Sequence, residues 1–396
     1  IGSTLSSLSF LTGYFEHNYN PIYAPLINLI LILKSIFINE VLINSVEIDE
    51  IKPKLYFNTE LFVYYGRVAS LTISSISIFI LYLIFKKLKI NFKIYGVLLI
   101  VFATSTAMLN IATTFGKNSS YLLIYLIQIY FLTKYLFKID KFNFKSYILF
   151  GLLASLAWGI NYWPAFISIY AIFFLHYKKF KLKKFNYLLI FLIIFLILGP
   201  IINFLFVGQS PFELISPNVD SSFNIVLFLE SFVGDAIKSF EILYFNERNI
   251  ILLVIFTPVF FLNKLTKFKK EYLIIFFLIF EPIFLFGISD KVIPQLRYFA
   301  GINCVILILI ALVLNEINKV NYRYLSVLFL IFNFYFIYEN FKINNEINKI
   351  IFNKHSFYTF NDNINIDKSK ILYLINLNTQ ETLKQNLYYE ELYNNN

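Results

Sequence analysis

Long apolar runs, each close to the length needed to cross a lipid bilayer, constrain most strongly how this chain can fold. A bilayer core is spanned by a helix of about 20 consecutive apolar residues. Such runs occur at about 66–85, 95–114, 119–136, 186–207, 249–263, 271–288, 299–314 and 322–338. The sequence therefore predicts an integral membrane protein built from helices.

The composition excludes the main soluble classes. Of the 396 residues, 58% are hydrophobic and 15% are charged, whereas soluble globular proteins have about 45–50% and about 25%. A single soluble core could not bury so much apolar surface. The net charge of +10 lies in short clusters between the apolar runs, where membrane proteins carry it. We therefore expect a lipid bilayer, and no nucleic acid, as a partner.

The stretch 147–176 is too long for one span and is interrupted by polar or helix-breaking residues. Gly159, Asn161 and Pro164 lie near its middle. This pattern predicts a broken hairpin of two short helices, because irregular backbone at membrane depth is tolerated only inside protein or against water. The expected fold class is thus an all-α polytopic membrane protein with about 10 transmembrane helices.

The connections between spans indicate the orientation. Five of them contain 19 Lys and Arg residues, with only Asp140 and Glu316 as acids: 86–93, 134–145, 178–185, 264–270 and 315–323. By the positive-inside rule these are cytoplasmic. They alternate correctly only if 147–176 crosses twice, which supports the hairpin. We expect a multi-pass protein of a bacterial inner (plasma) membrane.

Three regions follow from this topology. Residues 1–65 form an external segment, residues 66–338 the transmembrane domain, and residues 339–396 a small extracytoplasmic α/β appendage with one strand. The apolar stretch 22–39 is short and contains Lys34. We expect it to lie flat on the outer surface as an interfacial helix, with a transmembrane orientation as the alternative.

No soluble-enzyme motif is present, and no Cys/His spacing typical of a metal site. His176 lies at a basic helix end, where we expect a solvated contact with lipid headgroups. The candidate residues are polar groups near the outer ends of spans. Lys291, Arg297 and Tyr298 lie in SDKVIPQLRYF at 289–299, and a guanidinium binds phosphate in a bidentate manner.

Four other candidates have weaker patterns. Arg67 begins the first long run, Lys117 lies in FGKNSS, and Asn161 lies at the hairpin tip. Glu281 lies inside an apolar run, where a carboxylate is costly and pairs with a cation such as Lys291. Anchoring of helix ends to lipid is the structural alternative for Lys291, Arg297, Arg67 and Lys117, and helix capping is the alternative for Asn161.

Four stretches carry a resemblance to a known superfamily: NYNPIYAPLINLILIL (18–33), YYGRVASLTISSISIFILYLIFKKL (64–88), GLLASLAWGINYWPAFISIYAIF (151–173) and FLFGISDKVIPQLRYFAGINCVILIL (284–309). In this order they resemble the GT-C membrane glycosyltransferases, such as the dolichyl-phosphate-mannose–protein mannosyltransferases and the aminoarabinose transferases. The resemblance extends over residues 18 to 338.

The resemblance implies transfer of a sugar, with inversion, from a polyprenyl-phosphate donor to an acceptor on the outer side of the membrane. Arg297 and Lys291 would hold the donor phosphate, with Arg67 second and Tyr298 donating a hydrogen bond to it. Lys117, Asn161 and Glu281 would contact the substrate. The acceptor is a cell-envelope glycan, a glycolipid or a protein, and the sugar and any divalent metal are left open.

The chain also departs from the family. The family's catalytic Asp, in an Asp-Glu pair after a first span, has no counterpart here. We expect that span and pair to lie upstream of Ile1. Glu16 is the nearest acid, but its context differs, so the catalytic role is not carried over to it. The prolines expected after Arg297 and Tyr298 are absent, and Asn161 stands where the family often has Thr-Lys.

Three other functions remain as alternatives. A polysaccharide polymerase or ligase would carry essential Arg and His in its large outer loop, and 208–248 contains Arg248 but no His. A transporter would show inverted repeats and charged residues near the membrane midplane, where only Glu281 lies. A purely structural membrane protein is the third.

Overall fold

The computed structural model describes residues 23–43, 59–113, 118–160, 162–181, 183–207 and 299–316, and the single positions 234, 237, 275, 278, 334 and 338. The described part is helical and contains no strand. The chain divides into two compact units, and all helices below belong to the unit that ends at Ile337. The predicted α/β appendage at 339–396 lies outside these ranges and stays a prediction.

The helices are numbered in chain order. They are α1 (Tyr23–Ile36) with a π-helical turn (Phe37–Ile43), α2 (Thr59–Lys87), α3 (Phe92–Ala103), α4 (Thr106–Thr113), α5 (Asn118–Leu136), α6 (Phe144–Ile160), α7 (Tyr162–Phe180), α8 (Phe185–Leu196) with a second π turn (Ile197–Ile201), α9 (Ile202–Val207) and α10 (Phe299–Glu316). Helix α2 packs on α5, α6 packs on α7 and α8, and α10 packs on α3 and α5.

Two of these helical stretches are long and apolar enough to cross a membrane, Tyr64–Lys87 and Phe185–Phe206. A third exists if α3 and α4 form one bent span. Phe144–Ile160 and Ala300–Asn315 are apolar but shorter. The described chain therefore has two or three membrane-capable helices, and the total of about ten spans stays a prediction.

The run expected to span the membrane at 95–114 consists of α3 and α4, which meet at 54° and together are long and apolar enough for a broken span or a re-entrant loop. The hydroxyl of Thr104 donates to the carbonyl of Ile100 at 2.7 Å, and the hydroxyl of Ser105 accepts from the N–H of Met108 at 3.3 Å. Ser105 therefore acts as the N-cap of α4. The hydroxyls of Thr104 and Ser105 bond to backbone groups at the break, so α3 ends and α4 begins there.

The two helices expected within 147–176 are present as α6 and α7, which pack against each other on either side of position 161. A buried polar link holds α7 to α5. The N–H and the hydroxyl of Ser168 both donate to Gln128 Oε1, at 3.1 and 2.5 Å, and Gln128 Nε2 donates to the carbonyl of Ile124 at 3.3 Å. Such satisfied polar pairs stabilise helix association in lipid.

Small residues on one face of α6 allow two other helices to approach its backbone. Gly151, Ser155 and Gly159 follow one another at intervals of four. A Cβ added at Gly151 would lie 3.1 Å from Ile194 of α8, and one at Gly159 would lie 1.9 Å from the ring of Tyr23 of α1. The face is a small-residue packing surface of the kind that membrane helices use.

The π turn before α9 contains Pro200, which has no N–H to donate. In a π turn that N–H would bond to the carbonyl of Phe195. The hydroxyl of Ser155 lies within 3.4 Å of this carbonyl, and the hydroxyl of Tyr23 donates to the carbonyl of Leu198 at 2.6 Å. The hydroxyl of Tyr23 thus satisfies a carbonyl of the irregular turn, whereas the proton of Ser155 goes to the nearer carbonyl of Gly151 at 2.7 Å.

Three basic connections gather at one end of the bundle, which we call the lysine end: 86–93, 134–145 and 178–185. The ammonium of Lys179 donates to the carbonyl of Phe142. The pKa of Asp140 is lowered by the Lys134 ammonium 2.7 Å away, by a backbone N–H and by the charge of Lys87. The three connections contain 13 Lys and one acid, so the positive-inside rule predicts that this end is cytoplasmic.

His176 was expected to be solvated, and this is corrected. Its side chain is buried, and Nδ1 lies 2.6 Å from the hydroxyl of Tyr147. The backbone of Lys183 provides a second hydrogen bond, and the ring of Phe180 packs at 5.6 Å. The histidine links α6, α7 and the connection after α7, so it is a structural residue of the lysine end.

Gly159→Ala is expected to destabilise the protein by about 1–3 kcal/mol, because the new methyl group would displace the ring of Tyr23. Gly96→Ala on α3 is the matched control, since its Cβ meets nothing within 4 Å and alanine favours a helix by about 1 kcal/mol. Thermal unfolding of the detergent-solubilised chain measures both. Equal unfolding midpoints for the two variants would contradict the close approach at Gly159.

The orientation can be tested with single cysteines in a Cys304→Ser background. Lys141→Cys lies at the lysine end and Tyr64→Cys at the other end of α2, and both positions are exposed. In right-side-out vesicles, a membrane-impermeant maleimide is expected to label Tyr64→Cys directly and Lys141→Cys only after permeabilisation. Labelling of both positions from the same side would contradict the bundle as a transmembrane unit.

Candidate functional site

Four helices run toward the lysine end, so their first residues lie at the other end of the bundle, which we call the opposite end. Helices α2, α5 and α7 have Lys87, Lys134 and Lys179 in their last turns. Helix α10 reaches the same end, because Asn315 Oδ1 accepts from the N–H of Asn91 at 3.0 Å. Arg67 lies in the first part of α2, and Lys117, Asn161 and Arg297 come shortly before α5, α7 and α10 in the sequence.

Arg67 is the one predicted site residue whose side chain the structure describes. It is exposed on α2 and lies about 30 Å along the helix axis from Lys87, which is about the thickness of a bilayer core. This position fits binding of an anionic group as well as lipid anchoring. The other candidates, Glu16, Lys117, Asn161, Glu281, Lys291, Arg297 and Tyr298, lie outside the described residues and stay predictions.

The structure brings together two helix beginnings that directly follow candidate residues. Lys117 precedes α5, and Arg297 comes two residues before α10. In the first turn of α10, a Cβ at Gly301 would lie 3.1 Å from the ring of Tyr125, two turns into α5. The helices that follow Lys117 and Arg297 in the sequence, α5 and α10, are therefore neighbours.

Helix α1 crosses the opposite end. Its 14 residues and the following 7-residue π turn extend about 30 Å. Tyr23, at the start, contacts Gly159 near the end of α6, and Glu40, in the π turn, accepts a hydrogen bond from Tyr65 of α2. Because the first turn of α1 and the following π turn both contact the opposite end of the bundle, the structure favours the flat orientation expected for 22–39. The position of α1 relative to a membrane stays a prediction.

A fixed carboxylate lies at the opposite end. The hydroxyl of Tyr65 donates to Glu40 Oε1; Tyr65 is buried and Glu40 is half-buried. Among the side chains that the structure describes, Glu40 and Asp140 are the two carboxylates, and Asp140 belongs to the lysine end. Its position beside Tyr65 makes Glu40 a candidate functional carboxylate.

Glu40 was missed at the sequence level. The signal was present, since the acid interrupts the apolar stretch IFINEVLI at 36–43. Chemically, Glu40 can accept a proton, and Tyr65 fixes its orientation. Arg67 lies two residues after Tyr65 on α2, and residues two apart do not share a helix face. Arg67 therefore does not face Glu40 together with Tyr65. Within the described ranges, no group of three metal-binding side chains is found.

No family model, curated protein or solved structure matches this chain. The GT-C resemblance therefore stays a proposal.

Tyr65→Phe is expected to lower the stability by about 1–3 kcal/mol, because it removes this hydroxyl donor from the half-buried Glu40 carboxylate. Tyr64→Phe is the matched control: Tyr64 is the neighbouring residue, is exposed, and keeps its ring contact with Tyr65 when the hydroxyl is removed. The measurement is the midpoint of thermal unfolding for each variant. A drop for Tyr64→Phe as large as that for Tyr65→Phe would show that Glu40 does not depend on this hydroxyl.

Proposed function

We propose that this chain is a lipid-linked-sugar-dependent glycosyltransferase of a bacterial inner membrane. It moves a sugar from a polyprenyl-phosphate donor to a glycan, lipid or protein acceptor on the outer side. The observation that carries the proposal is the Glu40 carboxylate, held by Tyr65 at the end of the bundle away from the lysines. A carboxylate oriented in this way can take the proton of an acceptor hydroxyl.

The roles follow from charge. Arg297 and Lys291 bind the donor phosphate and stabilise the negative charge that grows on it as the glycosidic bond breaks. Tyr298 donates a hydrogen bond to the same phosphate, and Arg67 binds the headgroup from the second position. Lys117, Asn161 and Glu281 contact the sugar or the acceptor.

Glu40 fills the role of the base in this proposal. An acceptor hydroxyl attacks the anomeric carbon from the face opposite to the phosphate, and its proton passes to the Glu40 carboxylate. The carbon–oxygen bond to the phosphate breaks, and polyprenyl phosphate leaves with the electron pair. The sugar configuration is inverted, because a single displacement takes place.

Among the described residues, no observation favours a transporter over the proposed glycosyltransferase. In the described interior, the polar pair of Gln128 and Ser168 is uncharged and satisfied within the protein. A transporter site at the membrane midplane would instead expose polar groups to a substrate. The outer loop 208–248, which a polymerase would use, lies outside the described residues.

The proposal is tested by the pool of polyprenyl-phosphate sugars in membranes that contain the overproduced chain, measured by mass spectrometry. The wild-type protein is expected to consume one such lipid. Glu40→Gln is expected to lower its rate of consumption by a factor of about 10²–10⁴, the usual contribution of a general base. Arg297→Ala is expected to lower it by a factor of about 10²–10³.

Lys141→Ala, at the lysine end, is the control and is expected to leave the rate unchanged. The amount of each variant in the membrane fraction is measured in parallel, because a loss of insertion would imitate a loss of activity. A pool that the wild-type chain leaves unchanged, or a near-normal rate for Arg297→Ala, would contradict the proposal.

A further inference from the structure

The first three residues of α5 form a buried polar group at the opposite end of the bundle. Asn118, Ser119 and Ser120 have exposed fractions of 6%, 1% and 3%. Asn118 Oδ1 and the hydroxyls of both serines make no hydrogen bond with any residue that the structure describes. Buried polar side chains nearly always have a partner. Three adjacent groups without one therefore indicate a place for a ligand.

The other helices show what hydroxyl groups do when an acceptor is within reach. Thr72 donates to the carbonyl of Val68 at 2.9 Å, and Ser155 donates to the carbonyl of Gly151 at 2.7 Å, in each case four residues back. In the first turn of α5 the residue four positions back lies before the helix begins. The two serine hydroxyls therefore remain beside backbone N–H groups that have no partner inside the helix.

The charges at this turn favour an anion. The amino end of a helix carries a partial positive charge, and the first turn of α5 contains no acidic residue to neutralise it. Lys117 precedes the helix in the sequence. The turn lies about 24 Å along the helix axis from Lys134, close to the outer boundary of a bilayer core, where lipid phosphates are found.

We infer that the amino-terminal turn of α5 binds a phosphate group, of a lipid or free in solution. The donors are the N–H groups of the turn, the hydroxyls of Ser119 and Ser120, and the amide of Asn118, which can turn its NH₂ group to the anion. The inference goes beyond the proposed function, because it rests on α5 alone and is tested by binding rather than by sugar transfer.

The test uses the full chain in phosphatidylcholine nanodiscs and follows thermal unfolding through Cys304. This is the chain's single cysteine, and it is buried, so a thiol-reactive dye reports its exposure. Inorganic phosphate, compared with sodium chloride of equal ionic strength, is one probe. Nanodiscs that also contain phosphatidic acid are the other. A ligand that binds the folded state is expected to raise Tm by about 5 °C at saturation.

The triple variant Asn118→Ala, Ser119→Ala and Ser120→Ala is expected to lose this shift. Without phosphate it should be at least as stable as the wild type, because Asn118 Oδ1 and the two serine hydroxyls have no partner in the described structure. The matched control is Thr72→Ala with Ser75→Ala, whose hydroxyls are exposed on α2 and bonded within that helix. The control is expected to keep the full shift.

Asn118→Asp provides a second variant. A carboxylate at the start of a helix stabilises it but repels phosphate, so Tm should rise without phosphate and respond to neither probe. A shift with inorganic phosphate that both variants lose supports a site for free phosphate. A shift confined to phosphatidic acid, and lost in both, supports a lipid site. No shift with either probe, or a shift that both variants keep, would overturn the inference.

Discussion

Inside a bilayer there is no water to form hydrogen bonds with backbone N–H and C=O groups, so the protein must satisfy them itself. The arrangement of these helices follows from that constraint. The π turn at Pro200 breaks the regular ladder, and Ser155 and Tyr23 from two other helices lie against its carbonyls. The link between Ser168 and Gln128 serves the same need inside the bundle. The contacts that join the helices are therefore also those that complete their backbones.

The sequence predicts the helical class well and its local breaks poorly. The length of the apolar runs is set by bilayer thickness, so hydropathy and length alone indicate α2, the α6–α7 hairpin and the helix from Phe185. The bend at Thr104 and Ser105 depends on which backbone group each hydroxyl bonds, and hydropathy contains no such information. The prediction for His176 was wrong for a similar reason: its partner Tyr147 is 29 residues away.

The candidate site is only partly accessible from sequence. Cations beside long apolar runs are recognised as candidates, as for Arg67 and Lys117. Glu40 is a single acid inside a short apolar stretch, and the sequence alone does not indicate a role for it. Its significance depends on the hydroxyl of Tyr65, 25 residues away. The polar turn at Asn118 is visible as FGKNSS, but burial without partners is a property of packing, and packing cannot be derived from composition.

The hydrogen bond from Tyr23 to Leu198 joins residues 175 positions apart. It attaches the start of α1 to the π turn before α9. An amphipathic helix on a membrane surface ordinarily exchanges with water. Departure of α1 would strip a carbonyl of its donor and open the groove over Gly159. In the flat orientation predicted for 22–39, α1 is therefore retained by the bundle as well as by lipid.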